Sequence, residues 1–228
     1  MTALPHDIEL VVFDILGTMV DEPSGIRRGI EAAVPGIDEP RASELLLLWQ
    51  GHVEEQQRAM LSGSRAYADS TVVDVEAATR VAAEAGIEDD DTIRALARAA
   101  QELDPWLDSV EGLARIAERH PVVGLSNASP SALTRISAHA GLRWHQVLSA
   151  TEVRTYKPHP DVYRLAIANA GCKPERLLMV AAHAWDLRGA QAAGMRTAYV
   201  ERPVGDPPSA ADSFDLYAES LDDLAARL

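Results

Sequence analysis

Two rhythms of apolar and polar positions run along the chain. Residues 8–13 are apolar and β-prone except for Glu9, and the run stops at Asp14, with Gly17 and Thr18 just beyond. A short, near-continuous apolar run of this kind predicts a strand buried on both faces. The same reading gives strands over residues 121–125, ending at Ser126-Asn127, over 146–149, over 177–181, running into His183-Ala184-Trp185-Asp186, and over 196–200. Helical spacing fills the gaps at residues 131–140, 161–170 and 187–193. The tail, residues 215–228, predicts a short strand and a closing amphipathic helix. Strands alternating with helices imply an α/β fold, a parallel sheet covered by helices on both faces. Asp14, Ser126 and Asp186 all sit near the carboxyl ends of predicted strands. Ligands bind at that edge of open α/β sheets, so these residues are expected to converge.

Residues 21–100 break the alternation. Stretches 25–34, 39–61, 72–85 and 92–103 are rich in helix formers with apolar residues at helical spacing, and Val72-Val73 is the one weak strand cue. The segment reads as a helical cap domain inserted after the first strand and lying over the sheet edge. Residues 1–20 and 101–228 then form the α/β core domain. Plain packing helices with no lid role would leave the same pattern. Glu88-Asp89-Asp90-Asp91 reads as a solvated turn with a helix N-cap, and residues 202–208 as a loop.

Composition narrows the function. The formal net charge of −14 has no basic stripe to relieve it, which argues against a nucleic-acid partner. No apolar run approaches the ~20 residues of a membrane span, and Met1 to Glu9 lacks the basic and apolar regions of an export signal. Cys172 is the only cysteine, so no internal disulfide forms and a cytoplasmic setting is expected. It follows Gly171 at a predicted helix end, where packing is its expected role. No Gly-x-Ser-x-Gly element, nucleotide-binding loop or zinc motif occurs.

Four elements carry candidate chemistry. In Phe13-Asp14-Ile15-Leu16-Gly17-Thr18, a carboxylate follows a buried strand and a glycine makes the turn. A group held so rigidly can attack an electrophile, and it can equally cap a turn. Leu125-Ser126-Asn127 offers a hydroxyl and an amide at a second strand end. In Tyr156-Lys157-Pro158-His159-Pro160-Asp161-Val162-Tyr163, the lysine precedes prolines that open a helix, and Tyr163 follows six residues later on that helix. Lys157 can balance the charge of an aspartate. In His183-Ala184-Trp185-Asp186, a second carboxylate can act on water or support Lys157, while the Trp185 ring is expected in the core. Gly189 and Gly194, shortly beyond, allow close packing and a turn.

In this order the four elements resemble the haloacid dehalogenase superfamily over nearly the whole chain. Leu-Ser-Asn, Tyr-Lys-Pro with its later tyrosine, and His-Ala-Trp-Asp are similar to the 2-haloacid dehalogenases in particular. The resemblance implies a Rossmann-like, HAD-like core with a helical cap. It implies a hydrolase in which Asp14 displaces halide from a small 2-haloacid and forms an ester on itself. Water then opens the ester with help from Asp186 and His183. Lys157 balances the charge, and Thr18, Ser126 and Asn127 orient Asp14 and the substrate carboxylate. Leu16, Gln50, Tyr163 and His183 complete the expected substrate contacts. The partner is a small molecule, no cofactor or metal is expected, and a homodimer is an expectation from the resemblance.

The chain departs from the pattern at three places. Leu16 stands where these dehalogenases have a tyrosine, Gln50 follows Trp49 where they have an arginine, and Ala181 replaces a serine found in some members. Leu16 also stands where phosphatases of the superfamily carry a general-acid aspartate. Its loss would remove roughly 10²–10⁴ in rate from phosphate-ester cleavage and nothing comparable from halide departure. Two other readings stay open: a magnesium-dependent phosphatase using Asp14 and Asp186, which Leu16 opposes, and a non-enzymatic binding scaffold, which the joint presence of Asp14, Lys157 and Asp186 opposes.

Overall fold

The computed structural model describes residues 7–228. The expectation about an export signal falls mostly on residues 1–6, outside the described residues. Six parallel strands form one sheet in the order β3-β2-β1-β4-β5-β6. They are β1 (Leu10–Phe13), β2 (Val122–Ser126), β3 (Gln146–Ser149), β4 (Leu177–Ala181), β5 (Arg196–Val200) and β6 (Leu216–Ala218). The central strand β1 pairs Phe13 with Gly124 on one side and with Val180 on the other.

Side-chain alternation along these strands builds two apolar layers. Val11, Phe13, Leu178 and Val180 face one core, closed by α5 (Ser109–Ala117), α6 (Pro130–Ala140) and α9 (Leu221–Arg227). Val12, Val123, Leu125 and Met179 face the other, closed by α7 (Pro160–Ala170) and α8 (Ala184–Ala192). The expected parallel sheet with helices on both faces is therefore what the chain forms.

Between β1 and α5 lie α1 (Glu22–Ala33), α2 (Glu39–Leu61), α3 (Ser70–Ala85) and α4 (Asp90–Ala99). They share a core of their own, in which Ile26, Ile30, Leu45, Trp49, Ala77, Val81 and Leu96 are buried. Each helix begins with an aspartate cap, which satisfies amide donors that the first turn leaves unpaired. Asp21 accepts from the Ser24 amide at 3.1 Å, Asp38 from Arg41 at 2.9 Å, Asp69 from Thr71 at 3.0 Å and Asp89 from Thr92 at 2.8 Å. The expected turn and cap at residues 88–91 are present, and Val72-Val73 is helical. The two ends of the insertion run side by side, with the Asp21 amide donating to Asp104 O at 2.8 Å and the Trp106 amide to Met19 O at 3.3 Å.

Two local expectations are corrected, and one helix is not expected from the pattern at all. The helix expected over residues 92–103 ends at Ala99, because Leu103 turns away to pack in the sheet core. The helix expected from residue 187 starts at Ala184, where Asp206 from a distant loop receives the Ala184 amide on its carbonyl at 2.8 Å and the Trp185 amide on its side chain at 3.0 Å. Helix α5 has no counterpart in the pattern. It contains Gly112, a poor helix former, and a Cβ there would come within 2.5 Å of Leu221 Cβ on α9, so close packing requires the glycine.

Trp49 is 2% exposed in the helical core. Trp49→Ala is expected to cost about 3–5 kcal/mol in urea denaturation. A loss below about 1 kcal/mol would contradict a packed helical unit.

Candidate active site

The carboxyl ends of β1, β2 and β4 meet under the four inserted helices. β1 delivers Asp14, whose amide donates to Val180 O at 2.9 Å and fixes it to the neighbouring strand. The chain then turns through Gly17 at φ 76°, a conformation side chains disfavour. A Cβ at Gly17 would also lie 2.7 Å from His183 Nε2, so the turn needs glycine for space as well. Thr18, fully buried, donates its hydroxyl to Asp14 Oδ2 at 2.6 Å and accepts the Ala182 amide at 3.0 Å.

Lys157 comes from the segment before α7. Its ammonium donates to Asp14 Oδ1 at 3.0 Å and to Asp186 Oδ2 at 2.7 Å, and its side chain is 1% exposed. Asn127 Oδ1 accepts the Lys157 amide at 2.7 Å and so ties the lysine segment to the end of β2. Asp186 lies in the first turn of α8, not at the strand end itself, and is fully buried. Its second oxygen, Oδ1, accepts from the Tyr163 hydroxyl at 2.6 Å. Gly189 makes that bond possible, because a Cβ there would meet the Tyr163 oxygen at 2.4 Å.

Charge explains the arrangement. Burial alone would lower the Lys157 ammonium, but the Asp14 and Asp186 charges outweigh it and hold Lys157 above the usual lysine range. Burial raises the Asp186 carboxyl above the aspartate range; Lys157 pulls it down and Asp14 pushes it up again. Burial and then the Asp186 charge push the Tyr163 phenol well up, so it keeps its proton and serves as a donor. Lys157 is the cation between the two carboxylates. Among the described residues no group of three or more His, Cys, Asp or Glu side chains is arranged to hold a metal ion.

The remaining predicted residues separate into two sets. Leu16 and Asn127 line a crevice between the inserted helices and the sheet edge. His183 Nε2 lies 3.2 Å from the carbonyl oxygen of Leu16, and His183 itself is not on the crevice wall. Ser126 is buried and receives the Ala128 amide on its hydroxyl at 3.2 Å, which shapes the β2 turn. Gln50 lies on α2 off the crevice wall, where Val53 and Gln57 from the same helix take the lining positions. Trp185 corrects an expectation: the ring is half-buried and stacks on His183 with centroids 5.6 Å apart, outside both cores. Glu22, Gln57 and Asp74 also line the crevice and are absent from the sequence-based set. The helix containing Glu22 is expected from the pattern to begin at Gly25, although Asp21 followed by Glu22-Pro23 is a recognisable helix start.

The structure thus places a buried carboxylate, paired with a buried lysine, at the binding edge of a parallel α/β sheet. The chain belongs to the haloacid dehalogenase-like hydrolase family, whose profile matches residues 8–194. It is 34% identical over 199 residues to an (S)-2-haloacid dehalogenase of Xanthobacter autotrophicus, covering 86% of this chain and 76% of that protein. It is 30% identical to an (S)-2-haloacid dehalogenase of Pseudomonas putida, with 86% of each chain covered. Among solved structures, a defluorinating L-2-haloacid dehalogenase superposes with a TM-score of 0.87 at 32% identity, covering 97% of this chain and 95% of the other. An L-2-haloacid dehalogenase from Xanthobacter autotrophicus with chloropropionic acid covalently bound superposes with a TM-score of 0.84 at 28% identity, covering 96% and 97%. No described helix is long and apolar enough to cross a membrane.

Removing the ammonium tests the electrostatics. Lys157→Met is expected to lose about 3–5 kcal/mol near neutral pH, because it strands buried carboxylates. The sign follows from Asp186, which burial already raises and Lys157 lowers. Without Lys157 its folded-state pKa rises further above the unfolded value of about 4. The variant should therefore be most stable below that value and lose stability as pH rises, which thermal unfolding at several pH values measures. A deficit independent of pH would contradict the account.

Proposed function

We propose that this chain is a hydrolytic dehalogenase of small 2-haloacids that works through an ester on Asp14. The observation carrying the reading is the buried Asp14–Lys157–Asp186 set, with Lys157 3.0 Å from one carboxylate and 2.7 Å from the other, in a chain with Leu16 two residues after the nucleophile. Halide leaves without a proton, so the missing acid at position 16 costs this reaction nothing.

An Asp14 oxygen attacks the halogen-bearing carbon from the side opposite the halogen. The carbon–oxygen bond forms as the carbon–halogen bond breaks, and halide leaves with the electron pair. Thr18 and Lys157 each hold one Asp14 oxygen, which limits the rotation that would misalign attack. Water then adds to the Asp14 carboxyl carbon, giving its proton to Asp186. The ester oxygen departs with the product and takes up that proton, leaving a 2-hydroxy acid and an Asp14 carboxyl group with one oxygen from water, which returns to the carboxylate by releasing the second water proton to solvent. Tyr163 and Lys157 keep Asp186 oriented, and His183 stands against the Leu16 carbonyl.

In this reading residues 21–100 act as the cap that excludes water and 1–20 with 101–228 as the core. Several bonds join the two parts near the site: Tyr156 OH donates to Ala68 O at 2.8 Å, the Ser129 amide to Ser70 Oγ at 2.9 Å, and Tyr67 OH to Thr151 Oγ1 at 3.1 Å. The reading also includes a homodimer in the cytoplasm. A lone cysteine, Cys172, suits a reducing compartment, and Leu47 and Leu107, 67% and 106% exposed, are apolar side chains a second copy would cover.

Halide release from 2-chloropropionate is the test. Release is expected without added metal, to persist with a chelator, and to fall by roughly 10⁴ or more in Asp14→Asn, as for other nucleophile deletions. Failure of the folded enzyme to release halide from any 2-haloacid contradicts the reading.

A further inference from the structure

One loop supports both carboxylates of the site. After β5 the chain runs through Arg202-Pro203-Val204-Gly205-Asp206, a stretch whose composition marks it only as a connection. Its two charged residues are both engaged inside the fold. Arg202 donates through Nε to Thr18 O at 2.8 Å and through Nη1 to Asp108 Oδ2 at 3.0 Å, and that carboxylate oxygen also accepts the Leu221 amide at 2.7 Å. The Arg202 and Asp108 side chains are 6% and 14% exposed. Asp206 accepts the Ala184 amide on its carbonyl at 2.8 Å and the Trp185 amide on its side chain at 3.0 Å, and its own amide donates to Ala182 O at 3.2 Å. Gly205, at φ 147°, lets the loop come this close, because a Cβ there would lie 2.6 Å from Ala182 O.

These bonds close a circuit. Thr18 puts its hydroxyl on Asp14 Oδ2 at 2.6 Å, and the same hydroxyl oxygen receives the Ala182 amide at 3.0 Å. Arg202 therefore holds the residue that holds the nucleophile, and Asp206 holds the helical turn whose third residue is Asp186. A largely buried ion pair is a costly way to pin one carbonyl, because desolvation of both charges opposes their attraction. A neutral donor would suffice for a loop that only had to pack. A rigid ionic anchor has a use where geometry sets the rate, since a misplacement of about 1 Å costs roughly 10² in rate.

We propose that Arg202 and Asp206 are positioning residues: from one loop they fix the spacing of Asp14 and Asp186, Arg202 through Thr18 and Asp206 through the first turn of α8. This rests on the reading that Asp14 is the nucleophile and Asp186 serves water. It adds that each end of the loop governs one half of the reaction, Arg202 the displacement of halide and Asp206 the opening of the ester.

Rapid-quench single turnovers of 2-chloropropionate, with amide hydrogen exchange of the same unliganded proteins followed by NMR, test this. Arg202→Gln is expected to slow halide release roughly tenfold to a hundredfold while ester opening changes less than about threefold. Asp206→Ala is expected to leave halide release within about threefold and to slow ester opening roughly tenfold, so that ester accumulates on Asp14. Asp206→Asn, whose side-chain oxygen can still accept the Trp185 amide, should restore ester opening. In a Thr18→Val background, Arg202→Gln should cost less than about twofold more, because its route to Asp14 is already gone. The Ala182 amide in Arg202→Gln and the Trp185 amide in Asp206→Ala should each exchange roughly tenfold faster, a local opening. The Val11 amide, bonded to Pro121 O at 3.0 Å at the other end of β1, should keep its rate. If Arg202→Gln does not fold, Arg202→Lys, which keeps the charge and loses the fork that reaches two acceptors, gives the same readouts. Equal slowing of both steps, additive losses with Thr18→Val, or exchange that quickens equally at Val11 marks a merely structural loop and overturns the proposal. Unchanged rates and exchange in folded variants overturn it too, and leave the dehalogenase reading intact. Should the exchange pattern hold while the wild-type enzyme releases no halide from any 2-haloacid, the dehalogenase reading fails and the two anchors stand.

Discussion

One buried ammonium organises this protein. Lys157 reaches two carboxylates, one just beyond β1 and one in the first turn of α8, at 3.0 and 2.7 Å, with its side chain 1% exposed. Removing three charges from water is costly, and the cost is met only if each charge finds close partners of opposite sign and the remaining lone pairs are used. That is the situation here: Thr18 serves Asp14, Tyr163 serves Asp186, and the Ala182 amide serves Thr18. The order of strands in the sheet sets the geometry, because β1 lies between β2 and β4 and so brings residues 14, 127 and 186 to one edge.

The packing around that set follows from it. Gly17 and Gly189 are where the backbone approaches His183 and Tyr163 too closely for any side chain. Arg202 reaches from the loop after β5 to donate to Thr18 O at 2.8 Å, and Trp106 donates to Gly17 O at 3.0 Å, so the turn that follows Asp14 is held from two sides. The inserted helices have a core of their own, separate from the two layers on the sheet. Glu22 and Asp74 line the crevice between those helices and the sheet edge.

How much of this is legible in the sequence depends on how local each signal is. The strands β3, β4 and β5 and the long helix α2 span the residues that periodicity predicts; β4 is buried at every position, and α2 buries Ala42, Leu45, Leu46 and Trp49 in its first half. Asp14, Lys157 and Asp186 stand out because a charged residue at the end of an apolar strand, or beside prolines, is conspicuous. Helix α5 is invisible because Gly112 is chosen by α9 rather than by helix propensity. The start of α8 is hidden because its amides are received by Asp206, over twenty residues away in the chain. Trp185 is misplaced because composition cannot distinguish a core ring from a half-buried one stacked on a histidine. Glu22 and Asp74 escape notice for a similar reason: they look like ordinary charges on helix surfaces until the fold brings both to one crevice.

The central claim is that Asp14 itself forms a bond to the substrate carbon, while Lys157 and Asp186 hold and then release that bond. Mass spectrometry after a single turnover of 2-chloropropionate in heavy-oxygen water tests it directly. The label is expected to enter the peptide containing Asp14, and the first product to carry ordinary oxygen. Label appearing in the first product, with none in that peptide, would mean that water attacks the substrate directly and that Asp14 is not the nucleophile.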